Sequence, residues 1–214
     1  MPPLQRHRLV WLSAAAWARW HDRAPAAERP LLDAWRDADR PLVVARPTQP
    51  LPAGALALGL PAPARFDRRR VALVAQRDEV VRAGHFPSLH EVAMAQAWTG
   101  AAALAQQLSL CARVRVYGSH GWQHLTGERY VHPGSDLDLL VELAHADQAP
   151  AVIDGLQAAD LPMRLDGELV LPDGRAVPWR EWAALLQGRV AQVLVKSMHG
   201  VSLCDATALQ AVPA

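Results

Sequence analysis

The chain has 214 residues, 51% of them hydrophobic and 20% charged, which is typical of a globular protein and excludes the disordered and fibrous classes. Its formal net charge of +1 provides no overall field to attract nucleic acid or an anionic membrane, so we expect neither as a partner. Two cysteines without the spacing of metal ligands, Cys111 and Cys204, argue against a zinc site and a disulfide framework; we expect a reduced, cytoplasmic protein.

Alternating short strands and helices are predicted for the first 80 residues. The helices are SAAAWARW, with Ser13 as its N-cap, and RPLLDAWRDA, with Pro30 in its first turn. Apolar, β-branched runs predict strands at HRLVWL, PLVVARP and RRVALVA. This part of the sequence contains no cluster of residues suited to catalysis.

Longer elements are predicted from residue 81 onward. One long helix is expected over residues 88–108, where Ser88 and Glu91 form a capping box. The strand RVRVYGS follows, and a 16-residue connection, HGWQHLTGERYVHPGS, then leads to the strand DLDLLVEL. The remaining predicted elements are a helix near DQAPAVIDGLQAA, a strand in LPMRLDGELVL, a helix in WREWAALLQ and a strand in VAQVLVK.

Two carboxylates interrupt the apolar run GSDLDLLV at residues 134–141. Side chains at positions i and i+2 of a strand point to the same side of a sheet, so Asp136 and Asp138 would project together. Neighbouring carboxylates repel each other unless a cation lies between them, and Mg²⁺ commonly uses one or two carboxylates together with substrate phosphates. The alternative is a solvated pair on an edge strand.

Two further features favour a phosphate-binding site. The strand before the connection ends in Gly118-Ser119, where a backbone turn can donate N–H groups to phosphate oxygens. A third carboxylate is expected from the strand LPMRLDGELVL, with Asp166 as the first choice and Glu168 as the alternative. The Asp-Gly pair there is also typical of a hairpin turn, in which Asp166 would have only a structural role.

The order of these elements resembles the nucleotidyltransferase superfamily, whose fold is shared by DNA polymerase β and kanamycin nucleotidyltransferase. The strands and helices predicted before residue 81 indicate an α+β protein with a small N-terminal α+β domain at residues 1–80. The resemblance implies a polymerase-β-like catalytic domain at residues 81–214, with a mixed sheet flanked by helices. The connection before Asp136 is longer than is usual there, and a second pair, Gly134-Ser135, adjoins the aspartates. Either Gly-Ser pair could therefore meet phosphate.

Longer segments of the sequence resemble one particular family within this superfamily. The chain is similar over most of its length to the phosphoribosyl-dephospho-CoA transferases of malonate decarboxylase, also called its holo-acyl-carrier-protein synthases. The similarity is carried by VYGSHGWQHLTGERYVHPGSDLDLLVE, LPDGRAVPWREW, VLVKS, PLVVARP and ALALGLP.

This resemblance implies an enzyme that uses 2′-(5″-triphosphoribosyl)-3′-dephospho-CoA. Its phosphoribosyl-dephospho-CoA group would be attached to a serine of the apo acyl carrier protein of malonate decarboxylase, with release of diphosphate. Mg²⁺ would be held by Asp136, Asp138 and Asp166. The expected substrate-binding residues are Gly118, Ser119, Gly134, Ser135 and Lys196. Because the N-terminal domain lacks a catalytic cluster of its own, it is a candidate for docking the carrier protein.

Some residues allow two interpretations. Lys196, the only lysine, is either a phosphate clamp or a surface residue. His120, His124 and His132 on the connection either contact the CoA portion or are solvated, and solvation is the commoner case. Trp122, Trp179 and Trp182 could stack on adenine, but buried core tryptophans are more usual.

Two other functions are compatible with the sequence. One is a related nucleotidyltransferase with a different acceptor, either the citrate lyase carrier protein or a small hydroxylated molecule. The other is a binding module for nucleotide or carrier protein without catalytic activity. The presence of both aspartates argues against the second function.

Overall fold

The structure is a computed structural model that describes residues 4–210. The chain divides into two compact units. The first runs to His85 and includes Glu128–Tyr130, and the second consists of Phe86–Gly127 and the chain from Val131 onward. Each unit combines helices with a sheet, so the predicted α+β class is confirmed. Within residues 4–210, no helix is both long and apolar enough to cross a membrane.

The first unit is built on an antiparallel five-stranded sheet with the strand order β4-β3-β2-β1-β5. Ser13 accepts a hydrogen bond from the backbone of Ala16 and caps the first helix as predicted. The elements are β1 (Leu9–Leu12), α1 (Ala14–Arg23), α2 (Arg29–Asp37), β2 (Leu42–Val44), β3 (Ala55–Pro61), β4 (Arg70–Gln76) and β5 (Val80–Gly84).

Two strands of this sheet were not predicted. The run ALALGLP forms β3, in which Leu56, Leu58 and Leu60 are buried on alternate positions. Glycine and proline are unfavourable in strands, but here the run pairs with strands on both sides. The short strand β5 pairs with β1, so the sheet extends to Gly84, beyond the expected domain boundary at residue 80.

The second unit contains a six-stranded sheet with the order β11-β10-β9-β8-β7-β6. The pair β7 and β8 is parallel and the other pairs are antiparallel, so the sheet is mixed, as predicted. The strands are β6 (Ala112–Val116), β7 (Leu137–Leu143), β8 (Leu165–Val170), β9 (Ala176–Pro178), β10 (Val193–Lys196) and β11 (Val201–Cys204). The helices are α3 (Leu89–Ala95), α4 (Thr99–Leu108), α5 (Gly118–Thr126), α6 (Ala149–Ala158), α7 (Trp179–Leu186) and α8 (Ala206–Gln210).

The long helix expected over residues 88–108 is two helices, α3 and α4. The capping box is present: Glu91 N donates to Ser88 Oγ at 3.2 Å, and Ser88 N donates to Glu91 Oε2 at 2.7 Å. The break follows Gln96, where Ala97 adopts a left-handed conformation with φ of 53°. An alanine gives no sequence signal for such a turn, because left-handed backbone is usually formed by glycine or asparagine.

The expected 16-residue connection is also different, because its beginning forms α5. The two glycines of GSHGWQHLT lower helix propensity, which made the segment resemble a loop. One of them has a packing reason: a Cβ added to Gly121 would lie 2.3 Å from the carbonyl oxygen of Val116. Trp122 then packs edge-on against Phe86, with ring centroids 5.3 Å apart. Tertiary packing thus stabilises a helix that local propensity does not favour.

The strand β7 separates a buried face from a polar one. Leu137, Leu139 and Val141 belong to the main apolar core of the unit, together with residues of α4, α6 and α7. The alternate positions point to the opposite face, where Asp138 and Glu142 are partly exposed and Leu140 between them is buried. The alternation of β7 therefore fixes which face of the sheet carries the carboxylates.

Candidate active site

Asp136 and Asp138 lie at the start of β7, on the face turned away from the core. Asp138 is the second residue of the strand and Asp136 immediately precedes it. Both carboxylates remain partly exposed. The structure thus places the pair on one side of the sheet, as its spacing predicts.

The parallel neighbour β8 supplies Asp166. Leu137 is the Cα partner of Leu165, and Asp138 is the partner of Asp166, so the two aspartates lie side by side on adjacent strands. Gly167 permits this close pairing: its φ is 137°, and an added Cβ would lie 2.0 Å from the carbonyl oxygen of Leu139. Asp166 is therefore a strand residue and not part of a hairpin turn.

Arg164 links two of the three aspartates. Its guanidinium lies 3.4 Å from Asp136 Oδ2 through Nε and 3.6 Å from Asp166 Oδ2 through Nη2. The arginine side chain is 63% exposed, so this pairing is screened by water and easily exchanged. A single cationic group therefore bridges the two carboxylates. Arg164 is not among the predicted site residues, although its position two residues before Asp166 puts it on the same face of the chain.

Gly118 touches the carboxylate of Asp138. Its φ is 59°, and a Cβ added there would lie 1.9 Å from Asp138 Oδ2. The adjoining backbone is tied to the same residue, since Tyr117 N donates to the carbonyl oxygen of Asp138 at 3.0 Å. Only glycine allows the start of α5 and this carboxylate to approach so closely.

The half-buried Ser119 follows Gly118 in the first turn of α5. No side chain caps this end of the helix within the described chain. The first N–H groups of a helix lack intrahelical acceptors, and the helix dipole favours negative charge there. Gly118 and Ser119 thus have the geometry expected of groups that donate to an anion.

The second Gly-Ser pair forms a closed turn with His132. Ser135 N donates to the carbonyl oxygen of His132 at 2.9 Å, and His132 N donates to Ser135 Oγ at 3.0 Å. Gly134 N donates to His132 Nδ1 at 3.2 Å. These contacts occupy the N–H groups of both Gly134 and Ser135. The geometry therefore favours Gly118-Ser119 as the pair that meets phosphate.

Glu168 and Lys196 form an ion pair further along the same face of the sheet. Lys196 Nζ donates to Glu168 Oε1 at 2.7 Å, and Glu168 is 5% exposed. The buried carboxylate is thus neutralised by the lysine. Of the two choices for the third carboxylate, Asp166 is more exposed and adjoins Asp138, whereas Glu168 is occupied by Lys196.

His120 is buried, which corrects the expectation of solvation. It is 8% exposed, packs edge-on against Trp98 at 5.1 Å, and hydrogen-bonds to the backbone of Ser135. Burial lowers the pKa of His120, and the bond to Ser135 only partly opposes this effect. The neutral imidazole therefore connects the first turn of α5 to the turn before Asp136. His124 and His132 are exposed, as expected.

The three aspartates can be tested as a metal site. Among residues 4–210, no three His, Cys, Asp or Glu side chains are grouped closely enough to hold a metal ion by themselves. Asp136 and Asp166 nevertheless share one cationic group, and carboxylate oxygens are the ligands that Mg²⁺ prefers. Mg²⁺ commonly combines one or two carboxylates with substrate phosphates. The residues present fit that mode of binding.

Comparisons with known proteins identify the family. Residues 85–207 match the model of the phosphoribosyl-dephospho-CoA transferase MdcG C-terminal domain, and residues 5–86 match that of the MdcG N-terminal domain. The chain belongs to the phosphoribosyl-dephospho-CoA transferase family. The predicted family is thereby confirmed, as is the prediction that the protein is a transferase enzyme. The two family matches overlap at residues 85 and 86, and the main segment of the first compact unit ends at His85.

Individual relatives carry the same name. A phosphoribosyl-dephospho-CoA transferase of Xanthomonas campestris pv. campestris strain 8004 is 41% identical over 210 residues, covering 95% of both chains. One from Bradyrhizobium diazoefficiens is 39% identical over 211 residues, covering 95% of this chain and 91% of the relative. One from Pseudomonas putida is 46% identical over 90 residues, which are 40% of each chain. No solved structure matches the chain.

The contact between Gly118 and Asp138 predicts a strong effect of Gly118→Ala. The added Cβ must displace the Asp138 carboxylate, and a displacement of about 1 Å in an active site can cost about 100-fold in rate. We expect transferase activity to fall about 100-fold, measured by initial rates, while circular dichroism shows that the protein is folded.

A matched control lies at the other end of α5. Gly127 has a φ of 68°, but a Cβ there would meet nothing within 4 Å. Gly127→Ala introduces similar backbone strain without the contact, so we expect activity within a few-fold of the unmodified protein. Equal loss in the two variants would show that strain at α5, and not the position of Asp138, is responsible.

Because Asp166 and Glu168 have different surroundings, we expect their substitution to lower the free energy of unfolding by different amounts. Glu168→Gln weakens a charge-assisted hydrogen bond at a buried position, so we expect the free energy of unfolding to fall by about 1–2 kcal/mol. Asp166→Asn removes an exposed, long ion pair and should change it by less than about 0.5 kcal/mol. Urea denaturation followed by circular dichroism measures both. A larger loss for Asp166→Asn would contradict the assignment of Glu168 as the structural carboxylate.

Proposed function

We propose that the protein transfers a phosphoribosyl-dephospho-CoA group from 2′-(5″-triphosphoribosyl)-3′-dephospho-CoA to a serine of an apo acyl carrier protein. The acceptor would be the carrier subunit of malonate decarboxylase, and the released product would be diphosphate. Membership of the family supports the transferred group. The observation that carries the mechanism is the contact between Gly118 and Asp138, with Asp166 on the next strand.

The reaction replaces a phosphoanhydride bond of the donor with a phosphoester bond to the carrier serine. The serine hydroxyl of the carrier attacks the phosphorus nearest the ribose, and the bond from that phosphorus to the bridging oxygen of the diphosphate breaks. The serine gives up its proton, and the diphosphate leaves with the electron pair of the broken bond. Negative charge therefore increases on the leaving group, which is where the site must stabilise it.

Asp136, Asp138 and Asp166 would hold Mg²⁺ with the help of phosphate oxygens, around one ion or two. When bound, the metal would neutralise charge on the transferred and leaving phosphates. The carboxylates orient the triphosphate against the sheet face. Without a cation they would repel it, because donor and site are both anionic.

Asp166 has two roles open to it. It can bind the metal nearer the nucleophile, or it can accept the proton of the attacking serine. Its half-exposed position leaves room for an acceptor hydroxyl, and Asp138 on the neighbouring strand fixes the distance between the two carboxylates. Glu168 is not available for this proton, because its carboxylate is paired with Lys196.

The first turn of α5 would bind the leaving diphosphate. The helix begins against Asp138, so phosphate oxygens bound by the N–H groups of Gly118 and Ser119 would adjoin the carboxylates. Lys196 provides a further positive charge on the same face of the sheet, although Glu168 holds it. Binding of phosphate by Lys196 would require exchange of that ion pair.

A reconstitution tests the transfer. The full chain, the apo carrier protein, the triphosphoribosyl donor and Mg²⁺ should increase the mass of the carrier by one phosphoribosyl-dephospho-CoA group and release diphosphate. Asp136→Asn should slow this at least about 100-fold, because it removes a charged metal ligand. Glu142→Gln is the matched control, since Glu142 lies on the same strand, at the end far from Gly118 and paired with Arg115.

The outcomes separate the alternatives. Full modification of the carrier by Asp136→Asn would contradict the metal-ligand role. No modification of the malonate decarboxylase carrier by the unmodified protein, with modification of the citrate lyase carrier or of a small hydroxylated molecule, would assign a different acceptor. Absence of diphosphate release with every acceptor would overturn the proposed reaction.

Arg164 allows the cation site to be tested without catalysis. Its guanidinium competes with a divalent ion for Asp136 and Asp166, so Arg164→Gln should tighten Mn²⁺ binding several-fold. Electron paramagnetic resonance of free Mn²⁺ measures this. Arg113→Gln removes an exposed arginine from β6 and should leave the Mn²⁺ affinity nearly unchanged. Unchanged affinity in both Arg164→Gln and Asp136→Asn would show that these carboxylates do not bind the ion.

A further inference from the structure

A cavity of about 340 Å³ in the second unit shares one residue, Arg164, with the candidate active site. Its wall is formed by the end of α6, the segment that leads into β8, the first part of α7 and Arg189. Arg164 belongs to this wall and also contacts Asp136 and Asp166. A ligand in the cavity would therefore be separated from the candidate active site by the side chain of Arg164.

The wall is strongly cationic. It includes three arginines, Arg164, Arg180 and Arg189, while none of the residues that line it is an aspartate or glutamate. Within the described chain, neither Arg180 nor Arg189 forms an ion pair with a carboxylate. The whole protein has a net charge of only +1, so this positive charge is a local concentration. Such a wall is suited to phosphate groups.

Arg180 is held in place before any ligand arrives. Its guanidinium stacks over the ring of Trp179 at 4.2 Å, and Nη2 donates to the carbonyl oxygen of Leu165 at 2.8 Å. Trp179 is buried, and its Nε1 has no hydrogen-bond partner within residues 4–210. Stacking fixes the guanidinium plane, which reduces the entropy that binding an anion would cost.

Apart from the arginines and Gln157, the side chains that line the cavity are apolar. Leu156, Leu161, Met163 and Ala183 line the cavity beside Trp179. An apolar surface next to arginines matches a ligand that carries a flat base and phosphate groups on the same molecule. The volume is near the lower end of small-molecule sites, about 300 Å³, so the cavity fits one portion of a large donor.

We propose that this cavity binds the adenosine diphosphate end of the dephospho-CoA group. The diphosphate lies against Arg180 and Arg189, and the adenine lies against the apolar wall. The inference rests on the proposed function, because it assigns one part of that donor to a place on this chain. It makes Arg180 and Arg189 specificity-determining residues, outside the groups that carry out the transfer.

Dephospho-CoA itself is the probe, because it has no triphosphate and cannot be transferred. Isothermal titration of the full chain should show binding that weakens about tenfold for Arg180→Gln and Arg189→Gln, since each loses a charged hydrogen bond to phosphate. Arg70→Gln removes an exposed arginine from β4 of the first unit and should bind dephospho-CoA within twofold of the unmodified chain. Arg164 is not used, because its contacts with Asp136 and Asp166 would mix two effects.

Steady-state transfer gives an independent readout. With the full donor, Arg180→Gln and Arg189→Gln should raise KM and leave kcat nearly unchanged, because the cavity contacts a part of the donor that does not react. Unchanged affinity for dephospho-CoA in both variants would overturn the inference, even if transfer occurs. Binding that depends on the arginines would support it, even if the transfer reaction fails.

Inorganic tripolyphosphate separates the two phosphate-bearing parts of the donor. It should bind the unmodified chain and both arginine variants equally, because the reacting triphosphate belongs beside Asp138 and not in the cavity. Loss of tripolyphosphate binding in the variants, with dephospho-CoA binding intact, would assign the cavity to the leaving group and overturn the proposal.

Discussion

The parallel pairing of β7 with β8 is the constraint on which the candidate site depends. It sets Asp138 beside Asp166 in register, and Gly167 lets the two backbones approach closely at the adjoining position. A shift of one residue would turn the carboxylates of one strand into the apolar core and bring leucines to the surface. The burial of Leu137 and Leu139 therefore fixes the register, and the register fixes the distance between the aspartates.

The second constraint is the start of α5. Gly118 brings the first turn of this helix against the Asp138 carboxylate, and His120 connects the same turn to the backbone before Asp136. The carboxylate of Asp138 thus lies beside both the N-terminus of α5 and the carboxylate of Asp166. This combination favours a ligand that carries both anionic groups and a bound cation. A triphosphate with Mg²⁺ has these properties.

Negative and positive side chains are separated around the candidate active site. The sheet face carries three aspartates, and the adjacent cavity carries three arginines. Arg164 belongs to both groups and bridges Asp136 and Asp166. A donor with a reacting triphosphate at one end and a nucleotide at the other could use the two regions together. Glu168 and Lys196 neutralise each other, so they add to neither charge.

The sequence by itself determined the α+β class, the family, the face on which Asp136 and Asp138 project, and most helices and strands. These follow from local periodicity, capping residues and short sequence motifs, all of which are encoded by neighbouring residues. Only the tertiary structure decided that residues 118–126 form a helix, that Asp166 adjoins Asp138 while Glu168 pairs with Lys196, and that Arg164 bridges two carboxylates. These features depend on contacts between segments distant in the chain. A strand pattern specifies which side a residue faces but not which strand lies beside it.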